Sequence, residues 1–161
     1  IHFSPEPSLE RNFFRKNFSN YSTADIIKNK SDFIIDLQNF NFEEKNFDLV
    51  ICNHVLEHIE DDNIALENIY SILKPGGLAI LQAPLSKIID VDFKKEGVVS
   101  DIERLKFYGQ SDHVRIYSEK NFLQKIKKIG FSINVNEMII EKNNSPSYGL
   151  NKKEEIIFAT K

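Results

Sequence analysis

A single cysteine, Cys52, is all the thiol chemistry this 161-residue chain offers, which excludes an internal disulfide and fits a reducing compartment. It falls in an apolar run, so it reads as an inert core thiol rather than a nucleophile. Glycine is also scarce, with six in all and none before Gly76. The G-x-G-x-x-G dinucleotide fingerprint is therefore missing. Its absence weighs against a nucleotide-dependent oxidoreductase, although Tyr70 with Lys74, and Tyr148 with Lys152, match a Tyr-x-x-x-Lys spacing. No charge sign is in large excess. A formal net charge of −3 gives no electrostatic reason to expect nucleic acid or a membrane surface as partner. No apolar run approaches the roughly 20 residues that span a bilayer, and no stretch resembles a signal peptide. A cytoplasmic location is the default expectation.

What is present suits one compact domain over 1–161, since 41% hydrophobic residues, thirteen of them Phe, can supply a core. Phe47, Leu49, Val50 and Ile51 form an almost unbroken β-prone run, as expected of a parallel strand covered on both faces. Asp61 or Asp62 can cap a following helix. On that helix Ala65, Leu66, Ile69, Ile72 and Leu73 share a face, while Glu67, Asn68 and Ser71 fall opposite. Lys74-Pro75-Gly76-Gly77 stops it, and Leu78-Ala79-Ile80-Leu81 supplies the next strand. This is a β-α-β unit.

Around it the same signals recur. A helix is predicted over 8–17 with Leu9, Phe13 and Phe14 as its apolar side, then short strands over 21–25 and 33–36, each ending in Asp. Ser118 can cap a helix carrying Phe122, Leu123, Ile126 and Ile129, closed by Gly130. Strands follow over 131–140 and 155–160, the last one antiparallel at the end of the sheet, with a polar turn over 142–153 between them. Residues 86–117 show no clean period and read as an inserted segment or lid. Ile1-His2-Phe3 resembles the tail of a strand, so sequence upstream of Ile1 is expected. The alternation predicts an α/β sandwich with a mostly parallel sheet and helices on both faces. In such sheets ligands sit beyond the carboxyl ends of the strands near the switch point. The residues there are Ser4 to Glu6, Asp25, Asp36, Asn53, His54 and Pro84.

The stretch FDLVICNHVLEHIEDDNIALENIYSILKPGGLAILQAP (47–84), with HFSPE (2–6) before it and DHVRIY (112–117) after it, resembles the class I S-adenosylmethionine-dependent methyltransferases, specifically the type 11-like group. The resemblance covers most of the chain. It implies a Rossmann-like methyltransferase sandwich and S-adenosyl-L-methionine as cofactor. It places Phe3 and Ser4 in the first cofactor loop, Asp25 and Ile26 at the ribose, Asp36 and Leu37 beside the adenine, and Asn53 and His54 near the methionine part. The family's first loop is normally glycine-rich, whereas this one contains no glycine, which implies a divergent branch or a fold-only relative acting as an interaction module. The implied reaction is direct in-line transfer of methyl to an oxygen or nitrogen of a small-molecule acceptor, with no metal required. Alignment of the reactants is the main contribution, up to about 7–11 kcal/mol.

The acceptor side is expected in Gln110 to Tyr117. There His113 is the first candidate base and His54 the second, with Asp112, Arg115 and Tyr117 as acceptor contacts. The plainer alternative is a loop pinned by an Asp112–Arg115 ion pair. Glu57, Glu60, Asp61 and Asp62 read as helix-start charges rather than catalytic acids. His54-Val55-Leu56-Glu57-His58 also matches the H-x-x-E-H zinc-hydrolase signature. That motif needs both histidines on one helix, and a helix start at Asp61 or Asp62 lies after both. His58 is then a packed, hydrogen-bonded histidine.

Overall fold

The computed structural model describes residues 1–40, 46–137 and 155–161. The strands are β1 (His2–Phe3), β2 (Thr23–Asp25), β3 (Phe33–Ile34), β4 (Phe47–Asn53), β5 (Leu73–Gln82), β6 (Leu85–Ser86), β7 (Tyr117–Ser118), β8 (Ser132–Glu137) and β9 (Glu155–Thr160). Seven of them form one sheet in the order β3-β2-β1-β4-β5-β9-β8. From β3 to β5 all neighbours are parallel, and β9 is antiparallel to both β5 and β8. The last strand is antiparallel as predicted, but its position is corrected: it lies inside the sheet, and β8 forms the edge. The predicted polar turn over 142–153, the end of the strand over 131–140, and Tyr148 with Lys152 lie outside the described residues.

Helix α1 spans 7–17, α2 is Asp62–Ile72, α3 is Asp101–Tyr108 and α4 is Glu119–Ile129. The predicted face of α2 is buried: Ala65, Leu66, Ile69 and Ile72 are fully inaccessible, each large aliphatic contributing about 1.5–3 kcal/mol. They pack with Val50 and Cys52 of β4, Ala79 and Leu81 of β5, and Phe122 and Ile126 of α4. Burial pushes the Cys52 thiol pKa far up, as befits an inert core group. In α1, Leu9 and Phe13 prove exposed. Residues Glu10–Phe14 adopt the wider π-helical pitch, and of the three apolar residues only Phe14 turns inward, stacking on Tyr21 at 5.3 Å.

The end of α2 also differs from expectation. Pro75 disfavours helical backbone at the residue before it, and the helix stops at Ile72, with Leu73 already extended and paired to Phe47. The Lys161 ammonium satisfies the terminal carbonyls, donating to Tyr70 at 2.7 Å and Leu73 at 2.8 Å. Gly77 is required by space, because a Cβ there would lie 2.9 Å from the Lys74 carbonyl and 3.1 Å from that of Phe47. Gly77→Ala is expected to cost about 1–3 kcal/mol by overpacking, read as a lower midpoint in thermal denaturation followed by circular dichroism. An unchanged midpoint would refute the steric reading.

In 86–117, where the sequence has no clear period, α3 is present. Ser100 and Glu103 form a capping box and Gly109 closes the helix in a left-handed conformation. The segment is anchored at its ends by parallel pairing of β6 with β7 and by a bridge between Phe93 and Ile116.

Candidate active site

The order of the sheet reverses between β1 and β4, and a cleft of about 480 Å³ opens beyond their carboxyl ends. That is the place and size expected of a small-molecule site. Of the residues predicted for the cofactor, Phe3, Ser4, Asp25, Ile26, Asp36, Leu37 and His54 line it.

Two strand ends carry backbone strain. Ser4 after β1 and His54 after β4 are left-handed, with φ of 46° and 53°, a conformation costing a non-glycine residue about 1–2 kcal/mol. Each is held there by its own amide, Ser4 to the Ala24 carbonyl at 2.8 Å and His54 to that of Gln82 at 2.9 Å. The glycine-free loop thus reaches a turn that glycine usually serves. Strain retained at two adjacent strand ends is typical of functional sites.

The two acidic strand ends repeat one device. Asp25 Oδ1 accepts the Ile27 amide at 2.8 Å, and Asp36 Oδ1 accepts that of Gln38 at 2.8 Å. Each carboxylate therefore shapes its own turn with one oxygen. The Asp36 turn is tied to α2, since Asn68 donates to the Leu37 carbonyl at 2.8 Å and Gln38 Oε1 accepts the Asp61 amide at 3.0 Å.

Asn53 is not among the lining residues, although its Oδ1 is buried without a hydrogen-bond partner among the described residues. Asp61 is the cap of α2, accepting the Ile64 amide. Residues Leu56–His58 form a single 3-10 turn. His54 and His58 therefore do not share a helix, and the H-x-x-E-H reading fails in its helical form.

The acceptor-side expectations need the larger correction. Arg115 and Tyr117 do not face the cleft. Both are buried, Arg115 against Asp62 at 2.8 Å, with Nη2 donating to the carbonyls of Ile59 and Glu60 at 2.7 Å each. Tyr117 donates to Asp62 Oδ2 at 2.7 Å. The suggested Asp112–Arg115 pair is absent, because Asp112 instead meets His58 Nδ1, through its carbonyl at 3.2 Å and its carboxylate at 3.4 Å. Only Asp112 of these three lines the cleft.

His113 is also buried, behind His58, with ring centroids 4.8 Å apart. Burial, helped by the charge of His58, holds its pKa below the usual histidine range. His54 and His58 are the histidines on the cleft. Between them lies Glu57, fully buried, with Oε1 3.3 Å from His54 Nδ1. Glu57 and Asp62 are not solvated helix-start charges. Glu57 could have been suspected as a carboxylate inside a non-helical loop between two histidines; Asp62 gave no signal, its partners being more than fifty residues away.

A mostly parallel sheet with one inserted antiparallel strand, and a cleft at the switch point lined by two acidic strand ends, defines the class I methyltransferase sandwich. A methyltransferase-domain family model matches residues 8–135, and the chain belongs to that family. It is 30% identical over 132 residues to a Rickettsia typhi protein named ubiquinone biosynthesis O-methyltransferase, covering 74% of this chain and 54% of the relative. It is 32% identical over 110 residues to a carboxy-S-adenosyl-L-methionine synthase of Vibrio vulnificus, covering 60% and 44% respectively. The chain thus spans about half the length of these relatives. A solved S-adenosylmethionine-dependent methyltransferase from Mesorhizobium loti shares the fold, with a TM-score of 0.59 at 13% identity over 86% of this chain and 79% of that one. S-adenosylmethionine is the cofactor or substrate of this family. The residues present fit it, offering an elongated ligand two carboxylates at one side and the left-handed Ser4 and His54 backbone beyond them along the sheet edge. No helix among the described residues is long and apolar enough to cross a membrane.

Proposed function

We propose that the protein transfers a methyl group from S-adenosylmethionine to an oxygen of a small-molecule acceptor. The observation that carries this is the cleft itself, with Asp25 and Asp36 on adjacent strand ends facing the strained Ser4 and His54. Bound there, S-adenosylmethionine supplies a methyl on a cationic sulfonium that leaves as a neutral thioether when the acceptor attacks. Asp25 holds the ribose hydroxyls as hydrogen-bond acceptor, and Asp36 with Leu37 flanks the adenine. The O-methyltransferase name of the Rickettsia relative supports oxygen over nitrogen.

A hydroxyl acceptor must lose its proton, so a base is needed. Here the preference between the histidines reverses: His54 opens on the cleft while His113 lies behind His58. His54 takes the proton on Nε2, with its Nδ1 oriented by Glu57. Residues 86–117 flank the acceptor side, with Asp112 on the cleft wall.

Calorimetric titration of S-adenosylmethionine and S-adenosylhomocysteine into the purified protein tests the reading. One-to-one binding of both is expected and would license an acceptor screen; no heat at millimolar ligand would remove the enzyme reading and leave an interaction module.

A further inference from the structure

Methyl transfer with His54 as base leaves a buried carboxylate oxygen beside the cleft unexplained. Glu57 is 1% exposed, and while its Oε1 meets His54, its Oε2 has no hydrogen-bond partner among the described residues. A carboxylate withdrawn from water is costly unless it is paired or coordinates a metal. One potential ligand atom from each of Glu57, His58 and His113 lies within 4.8 Å of the others. Donors on one tetrahedral zinc ion lie about 3.3–3.6 Å apart, so side-chain adjustments of roughly 1 Å would let all three bind. His58 is already prepared, because its Nδ1 is bonded to the Asp112 carbonyl and Nε2 is the nitrogen that remains for a ligand. Metal-bound histidines are oriented in this manner by a carbonyl or carboxylate on the other nitrogen.

We propose that Glu57, His58 and His113 bind a divalent cation of the zinc class at the acceptor end of the cleft. Two imidazoles and one carboxylate form a donor set that leaves a coordination position open. His58 lines the cleft, so the acceptor oxygen can take that position. The ion favours the ionised oxygen, whose proton passes to His54. This role rests on the methyl-transfer reading, whereas the existence of the site does not. It also departs from the expectation that no metal takes part: Glu57 and His58 of the H-x-x-E-H match do serve, with the third ligand coming from the DHVRIY stretch and His54 kept outside.

The test is a titration of the purified protein with Co²⁺, followed by visible absorption, and with Zn²⁺, followed by calorimetry. One equivalent of Co²⁺ should give d–d bands that Zn²⁺ abolishes. His58→Ala and His113→Asn should each weaken Zn²⁺ binding by more than the roughly 10- to 100-fold seen on losing a mere supporting group, with circular dichroism confirming that both variants fold. Absence of bands and heat at millimolar metal, or binding retained in both variants, would overturn the site. If S-adenosylmethionine still bound in that case, the methyl-transfer reading would stand alone. Metal binding without cofactor binding would instead establish the site and remove the methyl-transfer role assigned to it.

Discussion

Asp62→Ala is expected to lower stability by about 3–5 kcal/mol, since removing one member of a buried ion pair strands the other charge. Here Arg115 would be stranded, whereas Lys125 keeps Asp92 at 3.2 Å. Asp62 is 2% exposed and lies against Arg115 at 2.8 Å and against the Lys125 ammonium, with the Tyr117 hydroxyl donating to it as well. Arg115 could not escape to water, because it is itself 6% exposed and fixed to the Ile59 and Glu60 carbonyls. For a domain of this size, about 2–4 °C of melting temperature per kcal/mol gives a fall of roughly 6–20 °C. Tyr117→Phe, which deletes one hydrogen bond to a charged group, should cost less, about 1.5–3 kcal/mol. Urea midpoints at neutral pH measure both, and a loss under about 1 kcal/mol for Asp62→Ala would mean the cluster carries no net stabilisation.

The same cluster gives an acid limb. Burial alone would raise the Asp62 pKa, but the hydrogen bonds from Lys125 and Tyr117 and the charges of Arg115 and Lys125 outweigh it and hold the carboxyl below its ordinary value. Its folded pKa is therefore below the unfolded one of about 3.9. Its contribution is present in full above the unfolded value and is lost as pH falls below that value and through the folded one. Wild type and Asp62→Asn should converge in stability on acidification.

Asp25→Ala is expected to weaken S-adenosylhomocysteine binding by about 10- to 150-fold, the equivalent of roughly 1.5–3 kcal/mol for hydrogen bonds to a charged group. Asp25→Asn separates this from a turn-forming role. An amide oxygen can still accept the Ile27 amide as Oδ1 does at 2.8 Å, but the charge proposed to hold a ribose hydroxyl is gone. Calorimetry should find Asp25→Asn nearer to Asp25→Ala than to wild type. Full binding by Asp25→Asn would reduce Asp25 to a turn former.

The sequence shows most clearly what depends on neighbours along the chain. Apolar spacing locates α2 and α4, continuous apolar runs locate β4 and β5, and Asp25 ending β2 with Asp36 just after β3 marks the cleft, because strand order follows from connection rules. Helix α3 is hidden because Ile102 and Leu105 are 82% and 56% exposed, so no buried face imposes a period; only its capping box and Gly109 betray it. Contacts across the fold are invisible. Polar residues in DHVRIY look like a site, yet Arg115 and Tyr117 are turned inward by Asp62, and nothing in local spacing encodes that partner. The glycine-free first loop looks like a defect because composition does not reveal that Ser4 takes the left-handed turn itself.

The placement of β9 between β5 and β8 bears on how the chain is made. As synthesis proceeds from the amino end, the β5 edge stays open until residues 155–160 have emerged, because β9 is its partner there. Until then Leu78 to Leu81 present open amides and carbonyls beside apolar side chains, the kind of edge that recruits other chains. Truncation within β9 would therefore yield aggregation on the ribosome or soon after release rather than a shortened, functional protein.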